Sequence, residues 1–183
     1  VQAKENKTPI VTDEAINMII QTIIISRAKR VLEIGSAIGY SAILMALKTH
    51  ADIVSIEKDV SSYNLAKENI KKASLDKRIK LILGDALEVE LNDEFDLIFI
   101  DAAKAQYLKF LERFKTNLKT GGIIICDNLL FHGLVENPSE LEQKRLKSLV
   151  KKIDSFNRSL IEHKEFDTYI YELGDGLSIS IKK

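Results

Sequence analysis

Short apolar runs and helical patterns alternate along most of the chain. Val31-Leu-Glu-Ile34, Ile53-Val-Ser-Ile56, Ile79-Lys-Leu-Ile-Leu83, Phe95-Asp-Leu-Ile-Phe-Ile100 and Ile123-Ile-Ile-Cys126 are brief, rich in β-branched residues and mostly bounded by turn or charged residues. Such runs predict strands of a parallel sheet buried on both faces. Between them the apolar spacing turns helical, over Tyr40 to Leu47, Val60 to Ala73 and Tyr107 to Leu118. Ahead of the first strand, Thr12 can cap a helix that carries Asp13 and Glu14 in its first turn and runs to about Arg27. This alternation predicts an α/β fold with helices on both faces of the sheet.

The C-terminal part breaks the alternation. A long charged helix, about Ser139 to His163, precedes Thr168-Tyr-Ile-Tyr171 and Leu177-Ser-Ile-Ser-Ile181. Only Glu172 to Gly176 separates those two runs, and Asp175-Gly176 is a strong hairpin signal. The prediction is a mostly parallel sheet of seven strands that ends in an antiparallel hairpin. With two Pro in 183 residues and no low-complexity tract, one domain over 1–183 is expected.

Composition removes several function classes. No stretch of 18 residues is free of charge, which excludes an apolar membrane span of that length. The single Cys126 leaves no intramolecular disulfide and no cysteine-built zinc site, and it points to a reducing, cytoplasmic setting. Lys+Arg and Asp+Glu both number 27, so a strongly basic, non-specific nucleic-acid binder is disfavoured. The first residue is Val, and the natural N-terminus is expected to lie further upstream.

In doubly wound sheets, ligands sit beyond the carboxyl ends of the strands near the switch point. The first such loop is Glu33-Ile-Gly35-Ser-Ala-Ile-Gly39-Tyr-Ser41. Gly35 leaves room for a ligand to approach the backbone, and Gly39 lets the following helix pack close. The spacing G-x-x-x-G differs from the G-x-G-x-x-G that presents backbone donors to a pyrophosphate, and a tight turn with no ligand is an equally good reading of the glycines alone. Two acids shift the balance. Glu33 would repel a phosphate but can meet a cationic amino-acid group, and Glu57, 22 residues after Gly35, can accept both hydroxyls of a ribose. Asp85, in Gly84-Asp-Ala86, can accept from an adenine amino group. A nucleoside with a positive amino-acid tail and no phosphates is S-adenosylmethionine. The bland alternative is three solvated loop acids.

The fourth and fifth strands end in Asp101 and in Asp127-Asn128. Strands about 4.8 Å apart can bring these three oxygen-bearing side chains together, and two carboxylates with an amide carbonyl suit Mg²⁺. Lys104 can reach the same pocket as a base or as a charge beside the reacting oxygen. A substrate with two adjacent oxygens would chelate the metal and present an acidified hydroxyl to the methyl group. Asp and Asn are also good helix N-caps, the alternative role for these positions.

Taken together, Val31-Leu-Glu-Ile-Gly-Ser-Ala-Ile-Gly-Tyr-Ser-Ala42, Ile98-Phe-Ile-Asp-Ala-Ala-Lys104, Gly121-Gly-Ile-Ile-Ile-Cys-Asp-Asn128 and Gly174-Asp-Gly-Leu177 resemble the catechol and caffeoyl-CoA type O-methyltransferases. Those are Mg²⁺- and S-adenosylmethionine-dependent enzymes with the Rossmann-like class I methyltransferase fold, and the resemblance covers essentially the whole chain. It implies cofactor contacts from Gly35, Ser41, Glu57, Asp85 with Ala86, and Asp101, beside Glu33. Val11 matches the position that closes over the cofactor. The resemblance also implies metal ligation by Asp101, Asp127 and Asn128, and a catalytic pair of Lys104 and Asp101. Family members usually carry further helices before the point where this chain begins.

Within the family, Ile34 to Ala42, Asp101-Ala-Ala-Lys-Ala-Gln-Tyr107, Asp127 to Val135 and Lys144 to Asp154 are similar to the bacterial tRNA 5-hydroxyuridine methyltransferases. That likeness implies methylation of wobble 5-hydroxyuridine to 5-methoxyuridine, with the tRNA anticodon region as partner and a homodimeric enzyme. The 5-hydroxyl and 4-carbonyl would be the two adjacent oxygens. Lys144, Arg145, Lys147, Lys151, Lys152 and Arg158 on the late helix can meet phosphates, or form a solvated face diluted by Glu136, Glu140 and Glu142. Tyr40, Tyr107 and Phe131 can stack on a base or fill the core, and His132 can titrate in the pocket or sit in a surface loop. The runner-up keeps the chemistry and moves it to small catechol-like or caffeoyl-CoA-like compounds. A nicotinamide oxidoreductase lacks its glycine loop here, and a non-catalytic RNA-binding relic is disfavoured by the intact acidic motif.

Overall fold

The computed structural model describes residues 11–130, 135 and 144–183. In chain order these form α1 (Asp13–Ser26), β1 (Arg30–Ile34), α2 (Tyr40–Lys48), β2 (Asp52–Glu57), α3 (Val60–Lys72), β3 (Ile79–Leu83), β4 (Phe95–Ile100), α4 (Tyr107–Phe114), β5 (Leu118–Cys126), α5 (Lys144–Ile161), β6 (Phe166–Tyr171) and β7 (Leu177–Lys182). Single 3₁₀ turns at Lys104–Gln106 and Lys115–Asn117 flank α4.

The seven strands make one sheet in the order β3-β2-β1-β4-β5-β7-β6. β1 pairs in parallel with both β2 and β4, which makes it the strand at which the winding reverses. β7 runs antiparallel to β5 and to β6, so the predicted parallel sheet with a terminal hairpin is observed. Alternate residues of each central strand enter different cores. Val31, Ile53, Leu97, Phe99 and Ile125 pack under α1 and α2, whereas Leu32, Ile34, Val54, Ile98 and Ile100 pack against α4 and α5.

The helix boundaries follow their capping chemistry. Thr12 accepts from the Ala15 amide at 3.2 Å, and Arg27 ends α1 in the left-handed region. The side chain of Asp59 caps α3 by accepting from the Ser62 amide at 2.7 Å. One boundary departs from the apolar pattern. The helix expected over Tyr107 to Leu118 stops at Phe114, and β5 starts at Leu118 instead of Ile123. Lys119, Thr120 and Gly121 at the head of β5 are exposed and polar or small, so the periodicity that marks a buried strand is missing there. Phe131, His132, Glu136, Glu140, Glu142 and the first part of the expected late helix lie outside the described residues. Among the described residues, no helix is long and apolar enough to cross a membrane.

Candidate active site

The carboxyl ends of β1, β2 and β4 open onto a cavity of about 410 Å³. Its walls come from the loops that follow those strands, from Gly84, Asp85 and Ala86 after β3, and from Asn128 after β5. The position at the switch strand is where an open α/β sheet holds its ligand.

Gly35, the first residue beyond β1, lines this cavity with φ at +95°. A Cβ at this position would overlap the Asp101 carbonyl oxygen, so the glycine is demanded by the exit of β4. Gly39 has a different neighbour from the one its sequence position suggests. An added Cβ there would lie 3.3 Å from the Ala66 Cβ, so this glycine admits α3.

Glu57 ends β2 and is 9% exposed. Its Oε2 accepts from the Ala37 amide at 2.8 Å and its Oε1 from the Asp59 amide at 2.9 Å. These two bonds fix the carboxylate at the cavity wall while each oxygen keeps further acceptor capacity. Asp85 is set in the same way, its Oδ1 accepting from the Leu87 amide at 2.9 Å. Ala86 is buried beside it.

Glu33 occupies a different place. It is fully buried, and its two carboxylate oxygens accept from the hydroxyls of Ser41 and Ser55. Burial pushes its carboxyl up to about 7, against the lowering effect of both serine bonds. Neither Glu33 nor Ser41 is in the cavity wall, and their hydrogen bond ties β1 to α2. Val11 is 5% exposed and belongs to the apolar core shared with α1, also away from the wall.

At the other end of the cavity, Asp101, Lys104 and Asn128 come together. Lys104 Nζ donates to Asn128 Oδ1 at 3.0 Å. Asn128 holds a left-handed backbone, φ +64°, and its amide donates to Asp127 Oδ1 at 2.7 Å. Burial raises the Asp101 carboxyl, with the Lys104 charge pulling it back. Asp127 is 2% exposed, and burial reinforced by the Asp101 charge pushes it up to about 7. Cys126 is an inert interior residue, its thiol pushed up to about 12 by burial.

The Mg²⁺ expectation is corrected by this arrangement. Asn128 Oδ1 is engaged by an ammonium group and Asp127 Oδ1 by a backbone amide. Among the described residues, no group of three or more His, Cys, Asp or Glu side chains is placed to hold a metal ion. The residues present therefore do not make the expected metal centre.

Several wall residues were not singled out by sequence reasoning. Lys58 and Ser62 line the cavity beside Glu57, and Gln106 and Phe110 reach it from the other side. Gln106 and Phe110 are four residues apart around the start of α4, a helical spacing that also fits ordinary core packing. Lys58 and Ser62 follow a strand end and carry no distinguishing pattern.

This strand order, with a cavity at the switch strand edged by carboxylates, defines a class I S-adenosylmethionine-dependent methyltransferase. The family model for O-methyltransferases matches residues 2–183, and the chain belongs to that family. A caffeoyl-CoA O-methyltransferase of Populus kitakamiensis is 33% identical over 162 residues, covering 83% of this chain and 69% of its own. A Staphylococcus aureus structure, provisionally named a caffeoyl-CoA O-methyltransferase, superposes with a TM-score of 0.95 at 36% identity, covering 100% of this chain and 89% of that one. The S-adenosylhomocysteine-bound methyltransferase PaMTH1 of Podospora anserina superposes with a TM-score of 0.82 at 30% identity, covering 92% and 77%. These likenesses correct the tRNA reading. The relatives named by their substrate are small-molecule enzymes, not tRNA-modifying ones, so tRNA is withdrawn both as substrate and as partner.

Proposed function

We propose that the cavity binds S-adenosylmethionine and that the methyl acceptor is a small phenol of the catechol or hydroxycinnamoyl-thioester type. One observation carries this reading: a single cavity has fixed carboxylates, Glu57 and Asp85, at one end and the Lys104–Asn128 pair beside Asp101 at the other. Glu57 accepts from the ribose hydroxyls, and Asp85 with Ala86 receives the adenine. The backbone at Gly35 and Ala37 faces the amino-acid portion. That order directs the sulfonium and its methyl group towards Asp101 and Lys104.

The acceptor hydroxyl then lies beside Lys104, whose positive charge stabilises the oxygen as it loses its proton. Asp101, with its carboxyl raised by burial, takes that proton. The oxygen forms a bond to the methyl carbon as the carbon–sulfur bond breaks, and the electron pair returns to sulfur to leave S-adenosylhomocysteine. Catalysis rests chiefly on alignment of oxygen, carbon and sulfur.

The test is methyl transfer from labelled S-adenosylmethionine to catechol and to caffeoyl-CoA, run beside calorimetry of the cofactor. Label in either phenol is the expected result. Cofactor binding with no label in either would overturn the acceptor class.

A further inference from the structure

We infer that Tyr107 is a positioning residue for methyl transfer, acting through the backbone that carries Asn128; this rests on the proposed role of Lys104 and Asn128 at the acceptor. Tyr107 is 1% exposed and closes the 3₁₀ turn that begins at Lys104. A 3₁₀ turn has three residues per turn, so positions 104 and 107 fall on one side of it. Both reach across to consecutive residues after β5. Lys104 Nζ meets Asn128 Oδ1 at 3.0 Å, and the Tyr107 hydroxyl donates to the Asp127 carbonyl at 2.9 Å.

The strand exit needs such a hold. Asn128 is one of four non-glycine residues with positive φ among the described residues, a conformation Asn tolerates better than most side chains and one that leaves its place sensitive to the contacts around it. The next residues are gripped too: Leu129 and Leu130 donate to the Gly176 and Asp175 carbonyls at 2.9 and 2.8 Å, and the Asn157 side-chain amide donates to the Leu129 carbonyl at 3.0 Å. Tyr107 supplies the contact immediately before Asn128, from the same turn that carries Lys104. Its ring stands edge-on to Phe156 of α5, 5.4 Å between centroids, which fixes the hydroxyl against motion.

Tyr107→Phe removes the hydroxyl and keeps the ring. In the phenol methylation assay, kcat should fall about tenfold as Asn128 and Lys104 lose register, while the cofactor dissociation constant stays within about twofold. In a Lys104→Met background the same change should cost little more, because the contact it preserves is already gone. An equal loss in both backgrounds, or an unchanged kcat, overturns the inference. The ¹⁵N resonance of the Asn128 side-chain amide reads the same contact without any acceptor and should move in Tyr107→Phe. An immobile resonance overturns the role of Tyr107, whereas a wild-type protein that methylates neither phenol overturns the acceptor reading instead.

Discussion

Gly35 and Asp101 meet backbone to backbone where the exits of β1 and β4 converge: a Cβ on Gly35 would overlap the Asp101 carbonyl oxygen. The Asp101 amide donates to the Ile34 carbonyl at 3.0 Å, and the Gly35 amide donates to the Ile56 carbonyl at 3.0 Å. The glycine is thus threaded between β2 and β4 with φ at +95°. Gly35→Ala must strain its own φ and push the Asp101 segment aside. A loss of roughly 2–4 kcal/mol in unfolding free energy is expected, together with weakened cofactor binding. Urea denaturation and calorimetry with S-adenosylmethionine measure the two effects, and an unperturbed variant would contradict the packing described.

Glu57 offers a smaller, more selective perturbation. Glu57→Gln keeps the shape and one acceptor but removes the charge and exchanges one acceptor oxygen for an amide donor. The Ala37 or Asp59 amide then loses its partner, or the ribose does. A hydrogen bond to a charged group contributes roughly 1.5–3 kcal/mol, so the cofactor dissociation constant should rise at least about tenfold. Calorimetry at fixed ionic strength checks this, and an unchanged constant would remove Glu57 from the ribose site.

The sequence is informative where burial imposes a pattern. Strands β1, β2 and β4 are nearly continuous apolar runs because both sheet faces are covered there, and Thr12 and the Asp175-Gly176 turn carry local chemistry that marks their places. The places of Glu57, Asp85, Asp101 and Lys104 in the cavity wall were legible because each lies at or just beyond the carboxyl end of an identifiable strand. The position of Glu33 was not. Nothing in its residue type or its place before Gly35 reveals that its carboxylate oxygens accept from Ser41 and Ser55 in the interior. The metal expectation failed for a related reason, since sequence adjacency of Asp127 and Asn128 does not reveal that Lys104 engages the Asn128 oxygen. Tyr107 illustrates the opposite case: its spacing from Lys104 was visible, but its partner, a backbone carbonyl, leaves no trace in side-chain identity.

Lys104 carries the chemical side of the proposal. Lys104→Met retains much of the side-chain stem and removes the charge at the acceptor oxygen. A drop in kcat of about 10²- to 10⁴-fold is expected, with cofactor affinity preserved because Glu57 and Asp85, the proposed ribose and adenine contacts, lie at the far end of the cavity. Single-turnover transfer to catechol measures it. A variant retaining full turnover would move the acceptor elsewhere.

Buried Glu33 should make stability fall as pH rises. Its carboxyl ionises near 4.5 in the unfolded chain and near 7 in the folded one, so between those values the folded state holds more protons. Unfolding free energy therefore decreases with pH across this window and levels off above it, where both states are ionised. From this group alone the fall amounts to roughly 3 kcal/mol. Asp127 is raised to about 7 as well and adds a fall of the same sign, so the wild-type curve by itself does not isolate Glu33. Glu33→Gln does, because Asp127 contributes equally to both proteins and cancels in the difference. Relative to wild type, the variant should gain about 3 kcal/mol between pH 4.5 and pH 8, read from urea midpoints without cofactor. Parallel curves would mean that Glu33 ionises alike in the folded and unfolded protein, the Ser41 and Ser55 bonds offsetting its burial, and the argument for its raised carboxyl would fail.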